Sequence, residues 1–345
     1  MRRFLGLLCV LMLLCPAALA DKTVVMTFTG DVTLGSEEAK RNRAFSFDTA
    51  AKEKGYEYFF ANVRDFFAED DLTVVNLEGV LSDSNRQENT KKTFRFRGPT
   101  DFVKILTGSN IEAANIANNH SMDFGKQGYN ATLETLTAAQ LGAFGNTTVY
   151  TFEKDGVKIA FFGLNSTAFN GKKKWAKDEI ARLKQQEGVN AVVFVLHAGQ
   201  EYGKHRTQAQ ENYARYVIDA GADLVIMHHP HVVQGVDVYN NRYICYSLGN
   251  FCFGGNKTVK ALQAVVARVE MTFSDDGVYQ GQRLMLYPAH ISGTNPDSNY
   301  QPLFVSGADA QEVMRLMQID TEFDLVPFDE ALGCAPQPYL PAAQK

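Results

Sequence analysis

The stretch Leu224-Val225-Ile226-Met227-His228-His229-Pro230-His231 passes from four apolar side chains straight into three imidazoles. Four other segments follow the same plan. Val24-Val25-Met26-Thr27-Phe28 runs into Gly30-Asp31, Leu72-Thr73-Val74-Val75 into Asn76-Leu77-Glu78, Ile111 to Ala117 into Asn118-Asn119-His120, and Val192-Val193-Phe194-Val195-Leu196 into His197. Each delivers a metal-binding or proton-transferring residue within a few positions of its last apolar one. Four of the five are unbroken and rich in β-branched residues, the pattern of strands buried on both faces. The Ile111 run, interrupted by Glu112 and Asn115, fits that pattern least well. In sheets of this kind ligands bind where loops leave the carboxyl ends of the strands. The expectation is an α/β protein with a metal-centred site.

Arg2-Arg3, the apolar run Phe4 to Leu14 and the small-residue signal Ala18-Leu19-Ala20 have the order of a cleaved secretory peptide. Residues 1–20 are therefore expected to be removed, and the protein to be secreted, periplasmic or held at the cell surface. The apolar run is too short for a dedicated membrane span. Leu14 stands where a lipobox before Cys15 needs a small residue, which argues against a lipid anchor. The net charge of −5 on 345 residues, with no basic stripe after the signal, argues against nucleic acid as a partner. What remains suits one large domain over residues 21–330, followed by a Pro- and Ala-rich tail, 331–345, expected to fray. Cys245, Cys252 and Cys334 survive cleavage, an odd number without zinc-type spacing. Buried thiols are expected, although the Cys245–Cys252 spacing leaves a disulfide open.

Between these runs the rhythm is strand, loop, helix. Gln127 to Gln140 and Thr207 to Ala220 carry apolar residues at helical spacing, Trp175 to Glu187 reads as a polar helix, and Val157 to Leu164 as a further strand. After Asn250 the pattern becomes that of antiparallel strands, Ala261 to Phe273 and Gln282 to Tyr287, joined by a Ser274-Asp275-Asp276-Gly277 turn.

A divalent metal needs anionic oxygens and neutral imidazoles converging from separate loops, and Asp31, Glu78, Asn119, His197, His229 and His231 supply that mixture. Taken singly, each has a plainer reading. Asp31 and Glu78 flank glycines as turn residues do, Asn118-Asn119 tolerates left-handed turns, and a His-rich turn can be a capped surface loop. Their shared position at the ends of buried strands favours the metal.

Gly30-Asp31-Val32, Asn76-Leu77-Glu78-Gly79, the run Ala117 to Gly125, His197 to Tyr202, His228-His229-Pro230-His231 and Ser247-Leu248-Gly249-Asn250 occur in the order and spacing of the CapA family of bacterial capsule synthesis proteins, which includes proteins of poly-γ-glutamate biosynthesis. The chain resembles that family from about Thr23 to Phe253. The family in turn resembles the calcineurin-like metallophosphoesterases, which implies a four-layer α/β/β/α sandwich with two divalent ions, Mn, Zn or Fe, between its loops. By that resemblance Asp31 opens the ligand set, Glu78 bridges, Asn119 is the amide ligand, and His197, His229 and His231 complete it. His120 is similar to the histidine that protonates the leaving oxygen, with Asp123 as its partner; the alternative for Asp123 is a helix cap. Asn76, Glu201 and Asn250 are expected to orient ligands, Glu201 having the alternative of a plain surface acid.

One departure stands out. Phosphoesterases open with Asp-x-His, whereas Asp31-Val32-Thr33 lacks the imidazole. Two functions follow from the resemblance: a metal-dependent hydrolase acting on a phosphoester or an anionic polymer, or a non-catalytic accessory factor working with membrane-bound capsule synthesis components. For a polymer, the alternation Thr93-Phe94-Arg95-Phe96-Arg97 is expected to turn both phenyl rings to the core and present Arg95 and Arg97 as a substrate-binding pair.

Overall fold

The computed structural model describes residues 21–255 and 257–343. The expected signal peptide, residues 1–20, lies outside the described residues.

The apolar runs become strands of two sheets. In the first, the order is Leu303–Phe304, Tyr279–His290, Gln263–Phe273, Lys22–Thr33, Leu72–Leu77, Ala113–Asn115 and Gly142–Phe144. The last four run parallel, and Asn250–Phe253 pairs in parallel with the end of Lys22–Thr33. In the second the order is Val236–Tyr239, Arg242–Cys245, Leu224–His228, Ala191–His197, Val157–Asn165 and Tyr150–Lys154, with a parallel centre.

The two sheets face each other across a core that includes Met26, Phe28 and Val74 from the first and Phe161, Val195 and Ile226 from the second. Outside the first sheet pack the helices Phe47–Lys54, Val103–Thr107 and Gly125–Ala138, through residues such as Ala51, Leu106 and Leu136. Outside the second pack Ser166–Gln186 and Gln208–Asp219, through Phe169, Ile180, Leu183 and Val217. This is the α/β/β/α sandwich expected from the resemblance to metallophosphoesterases. Both faces of each central strand are covered, which is why the runs are apolar without alternation. A further helix, Gly307–Gln318, sends Val313, Met314 and Met317 into the inter-sheet core.

Local signals set the boundaries. Thr207 and Gln210 form a reciprocal capping box at the start of Gln208–Asp219. Asn165 caps Ser166–Gln186, which begins nine residues before Trp175 and contains a non-helical residue, Lys172; the expected polar helix is its second part. The antiparallel pair after Asn250 is a long hairpin, Gln263–Phe273 with Tyr279–His290.

Register then aligns the chemistry. On the first sheet Asp31 lies opposite Asn76 on one side and Asn250 on the other, and Asn76 lies opposite Asn115. On the second, His197 lies between Asn165 and His228. A row of polar groups from each sheet therefore meets at one edge of the sandwich. Gly30 permits the close approach there: a Cβ on it would lie 2.3 Å from the Gly249 carbonyl oxygen.

The tail corrects an expectation. Ala335–Pro336 and Leu340–Pro341 pair with Tyr279–His290, and Cys334 and Ala335 are buried. Proline suits an edge position because its missing N–H costs no ladder bond there. All three cysteines of the described residues are buried free thiols.

Candidate metal centre

Glu78 is the hub. It is fully buried, and neither carboxylate oxygen has a hydrogen-bond partner. Around it lie Nε2 of His197 at 3.7 Å, Nε2 of His120 at 3.8 Å and Nδ1 of His231 at 3.9 Å. A buried carboxylate without donors is expensive, and burial holds Glu78 well above the ordinary carboxylate range. A cation between these atoms removes the cost.

Two groups of potential metal ligands share this carboxylate. In one, the donor atoms of Asp31, Glu78 and His231 lie within 4.8 Å of one another; in the other, so do those of Glu78, His197 and His229. Asn119 joins the second group, its Oδ1 2.7 Å from His197 Nε2, which is in turn 3.1 Å from His229 Nδ1. All six sequence-expected ligands are thus brought together. A third group, Glu201 with His229 and His231, lies within the same 4.8 Å limit, with Glu201 exposed. Glu201 is therefore placed as a potential third donor beside His229 and His231.

The backbone is shaped for this. His229 has φ 103° and His231 φ 58°, left-handed conformations that cost a non-glycine residue free energy and collect at functional sites. Pro230 fixes the chain between them.

Buried amides brace the ligands from below. Asn76 Nδ2 donates to Asp31 Oδ1 at 2.8 Å and lies 3.2 Å from His197 Nδ1, so one side chain touches both ligand groups. Asn115 Nδ2 donates to Asn76 Oδ1 at 2.7 Å. Asn250 Oδ1 sits 2.8 Å from His231 Nδ1. Asp31 is also 3.2 Å from Nδ1 of both His228 and His231. Burial raises its pKa, but those imidazoles outweigh burial and hold it well below the usual carboxylate value. His197 moves the other way, its burial keeping the ring neutral, the form that ligates.

His120 Nδ1 pairs with Asp123 Oδ2 at 2.6 Å. A carboxylate only accepts, so the proton sits on Nδ1 and Nε2 faces Glu78 and the ligands. Asp123 is held in turn by the Phe96 N–H at 2.9 Å and by the Lys92 ammonium. It does not cap the helix Gly125–Ala138, whose preceding residue is Phe124 and which has no side-chain cap. Phe96 packs 4.5 Å from the His120 ring, and Phe253 packs 5.4 Å from that of His231.

Arg95 and Arg97 do not form the expected pair. Arg97 is 8% exposed, donating to both carboxylate oxygens of Glu38 at 2.9 Å and to the Ser82 carbonyl at 2.6 Å. Arg95 is tied to Glu88 at 2.8 Å and to the Lys92 and Thr93 carbonyls. The strand is only Phe96–Gly98, so the alternation breaks before it and Phe94 is exposed. Three groups hold places at the site that the sequence did not assign them: Lys92, which reads there as part of the alternating stretch with Arg95 and Arg97 but binds Asp123, His228, which turns to Asp31, and Asn115. Asn115 was visible as the break in an apolar run.

Residues 25–255 match the family model described as bacterial capsule synthesis protein PGA_cap. The chain belongs to that family. The PGA biosynthesis protein CapA of Bacillus subtilis (strain 168) is 29% identical over 255 residues, covering 68% of this chain and 64% of that protein. The capsule biosynthesis protein CapA of Bacillus anthracis is 27% identical over 257 residues, covering 68% and 60%. The chain thus spans under two thirds of either relative. A hypothetical protein from Thermus thermophilus superposes with a TM-score of 0.46 at 13% identity, over 77% of this chain and 99% of that one, too loosely to carry an argument.

Proposed function

We propose that this chain is an exported, metal-dependent hydrolase of capsule-polymer metabolism, acting on a phosphoester or on an anionic polymer such as poly-γ-glutamate. The observation that carries this reading is Glu78, a buried carboxylate with both oxygens unpartnered at the vertex shared by two ligand groups. Mixed carboxylate, amide and imidazole donors suit Mn, Zn or Fe. Asp31, Glu78 and His231 would hold one ion; Glu78, Asn119, His197 and His229 the other. When bound, such ions supply Lewis acidity and a nucleophilic water at neutral pH.

The remaining work falls to this chain's own side chains. Asp123 accepts from His120 Nδ1–H, so Nε2 is the nitrogen left to take up a proton from water, and the resulting imidazolium gives that proton to the leaving oxygen and returns to its neutral form. Lys92 holds Asp123 in place, and Phe96 and Phe253 exclude water from the flanks of His120 and His231.

A second reading, an accessory factor that binds without turnover, is favoured by Thr33. It replaces the imidazole of Asp-x-His, and its buried hydroxyl has no partner. Turnover of a generic phosphodiester and of poly-γ-glutamate by metal-loaded protein separates the two. Hydrolysis that a chelator abolishes supports the first reading; bound metal with no turnover of either supports the second.

A further inference from the structure

We propose that the cavity beside the metal centre, lined by Arg43, Phe45, Lys257 and Tyr300, is a docking subsite for a carboxylate-bearing polypeptide chain. The inference deepens the polymer reading of the metal centre and rests on it, but its test needs no turnover.

The cavity has a volume of about 210 Å³ and is floored by Gly254 and Gly255. Neither glycine has room for a side chain: a Cβ on Gly254 would lie 2.2 Å from the Gly35 carbonyl oxygen, and one on Gly255 would lie 2.6 Å from the Phe253 ring. Both follow directly on Phe253, the residue packed against His231. Phe253 also packs 5.9 Å from Phe96, which covers His120. An extended ligand leaving the centre past these two rings therefore enters this cavity.

Its charge is uncommitted. Nearby Lys40 pairs with Glu37, and Arg41 pairs with Glu38 and Asp48. Among the described residues Arg43 and Lys257 take part in no ion pair, unlike Arg95 and Arg97, which are locked to glutamates. Lys257 is held in a fixed position. Its ammonium donates to the Ser298 carbonyl at 2.8 Å and lies over the rings of Phe45, at 5.4 Å, and Tyr300, at 5.7 Å. Phe45 is 71% exposed, a large apolar ring left in solvent at the rim of a charged cavity.

This combination selects a class of ligand. A guanidinium fork grips one carboxylate in bidentate fashion, an ammonium takes a second, and an exposed ring covers the methylenes between them. A dianionic phosphate instead wants clustered donors. At the start of the nearby helix two of the backbone donors are already taken, the Thr49 N–H by Ser46 and the Phe47 N–H by Ser36. In a chain of net charge −5, a local patch of free cations is what brings a polyanion to the centre.

The test is fluorescence anisotropy of a labelled oligo-γ-glutamate, at low and high salt, with full-length wild type, Lys257→Gln and Arg43→Gln/Lys257→Gln. The expected result is a loss of about tenfold in affinity for the double variant at low salt, a smaller loss for the single one, and convergence at high salt. Metal content and thermal midpoint stay unchanged, so that the loss reports binding and not unfolding. Equal affinity for all three proteins, or no binding by wild type, overturns the proposal, as does displacement of the peptide by polyphosphate at equal charge concentration. Loss of binding in a protein without turnover leaves the subsite standing and removes the hydrolase; turnover with unchanged binding does the reverse.

Discussion

Three side chains at the centre have separable roles, and substitution distinguishes them. Replacing His229 or His231 by alanine removes a donor from a preformed group while leaving the sheets untouched, so bound metal should fall with little change in circular dichroism. Elemental analysis checks this, and unchanged metal in both variants places the two histidines outside the ligand set. His120→Asn should instead keep the metal and lose about a hundredfold or more in kcat, because His120 faces the ligands without belonging to either group. Parallel loss of metal and activity makes it a ligand. The candidate ligands His229 and His231 were legible in the sequence because they follow a run whose burial is unmistakable. Lys92 and His228 were not, since nothing local says that an ammonium 31 residues from Asp123 reaches it, or that a third imidazole turns toward Asp31.

At the scale of the element, the short strand Phe96–Gly98 shows how alternation misleads. Periodicity tells which residues share a face but not what is waiting there, and the partner of Arg97 is Glu38, 59 residues earlier. Arg97→Gln should cost about 2 kcal/mol of stability, discounted from a fully buried pair because Glu38 is partly exposed. Burial pushes the Glu38 pKa up, but the Arg97 fork outweighs it and the net shift is downward. A carboxyl lowered on folding contributes stability above its unfolded pKa of about 4.3, and that contribution is lost as pH falls through the folded value. Denaturant unfolding should therefore show wild type and Arg97→Gln converging in stability as the solution is acidified. A gap that widens in acid contradicts the ion pair. The Ile111 segment teaches the converse: Asn115, which weakens the strand pattern, is the buried amide that braces Asn76.

For the molecule as a whole, the sandwich was legible because parallel strands covered on both faces leave long apolar runs. The tail was not. Pro and Ala composition suggests fraying, yet its backbone completes the edge of the first sheet against Tyr279–His290, a pairing between segments far apart in sequence. Deleting residues 335–345 should lower the thermal midpoint by several degrees, since Ala335 is buried and the edge strand loses its ladder. An unchanged midpoint makes the tail an appendage. The free cations were equally hidden, because knowing which lysines and arginines lack a carboxylate requires the whole fold.

Two groups of potential ligands meet at Glu78. The metal stoichiometry of wild type and Glu78→Gln, purified in parallel and measured by mass spectrometry of the elements, tests this arrangement most directly. About two divalent ions per chain are expected in wild type and a loss from both groups in the variant, with the fold retained. A wild type that holds no metal after loading, or a Glu78→Gln protein that holds as much as wild type, contradicts it.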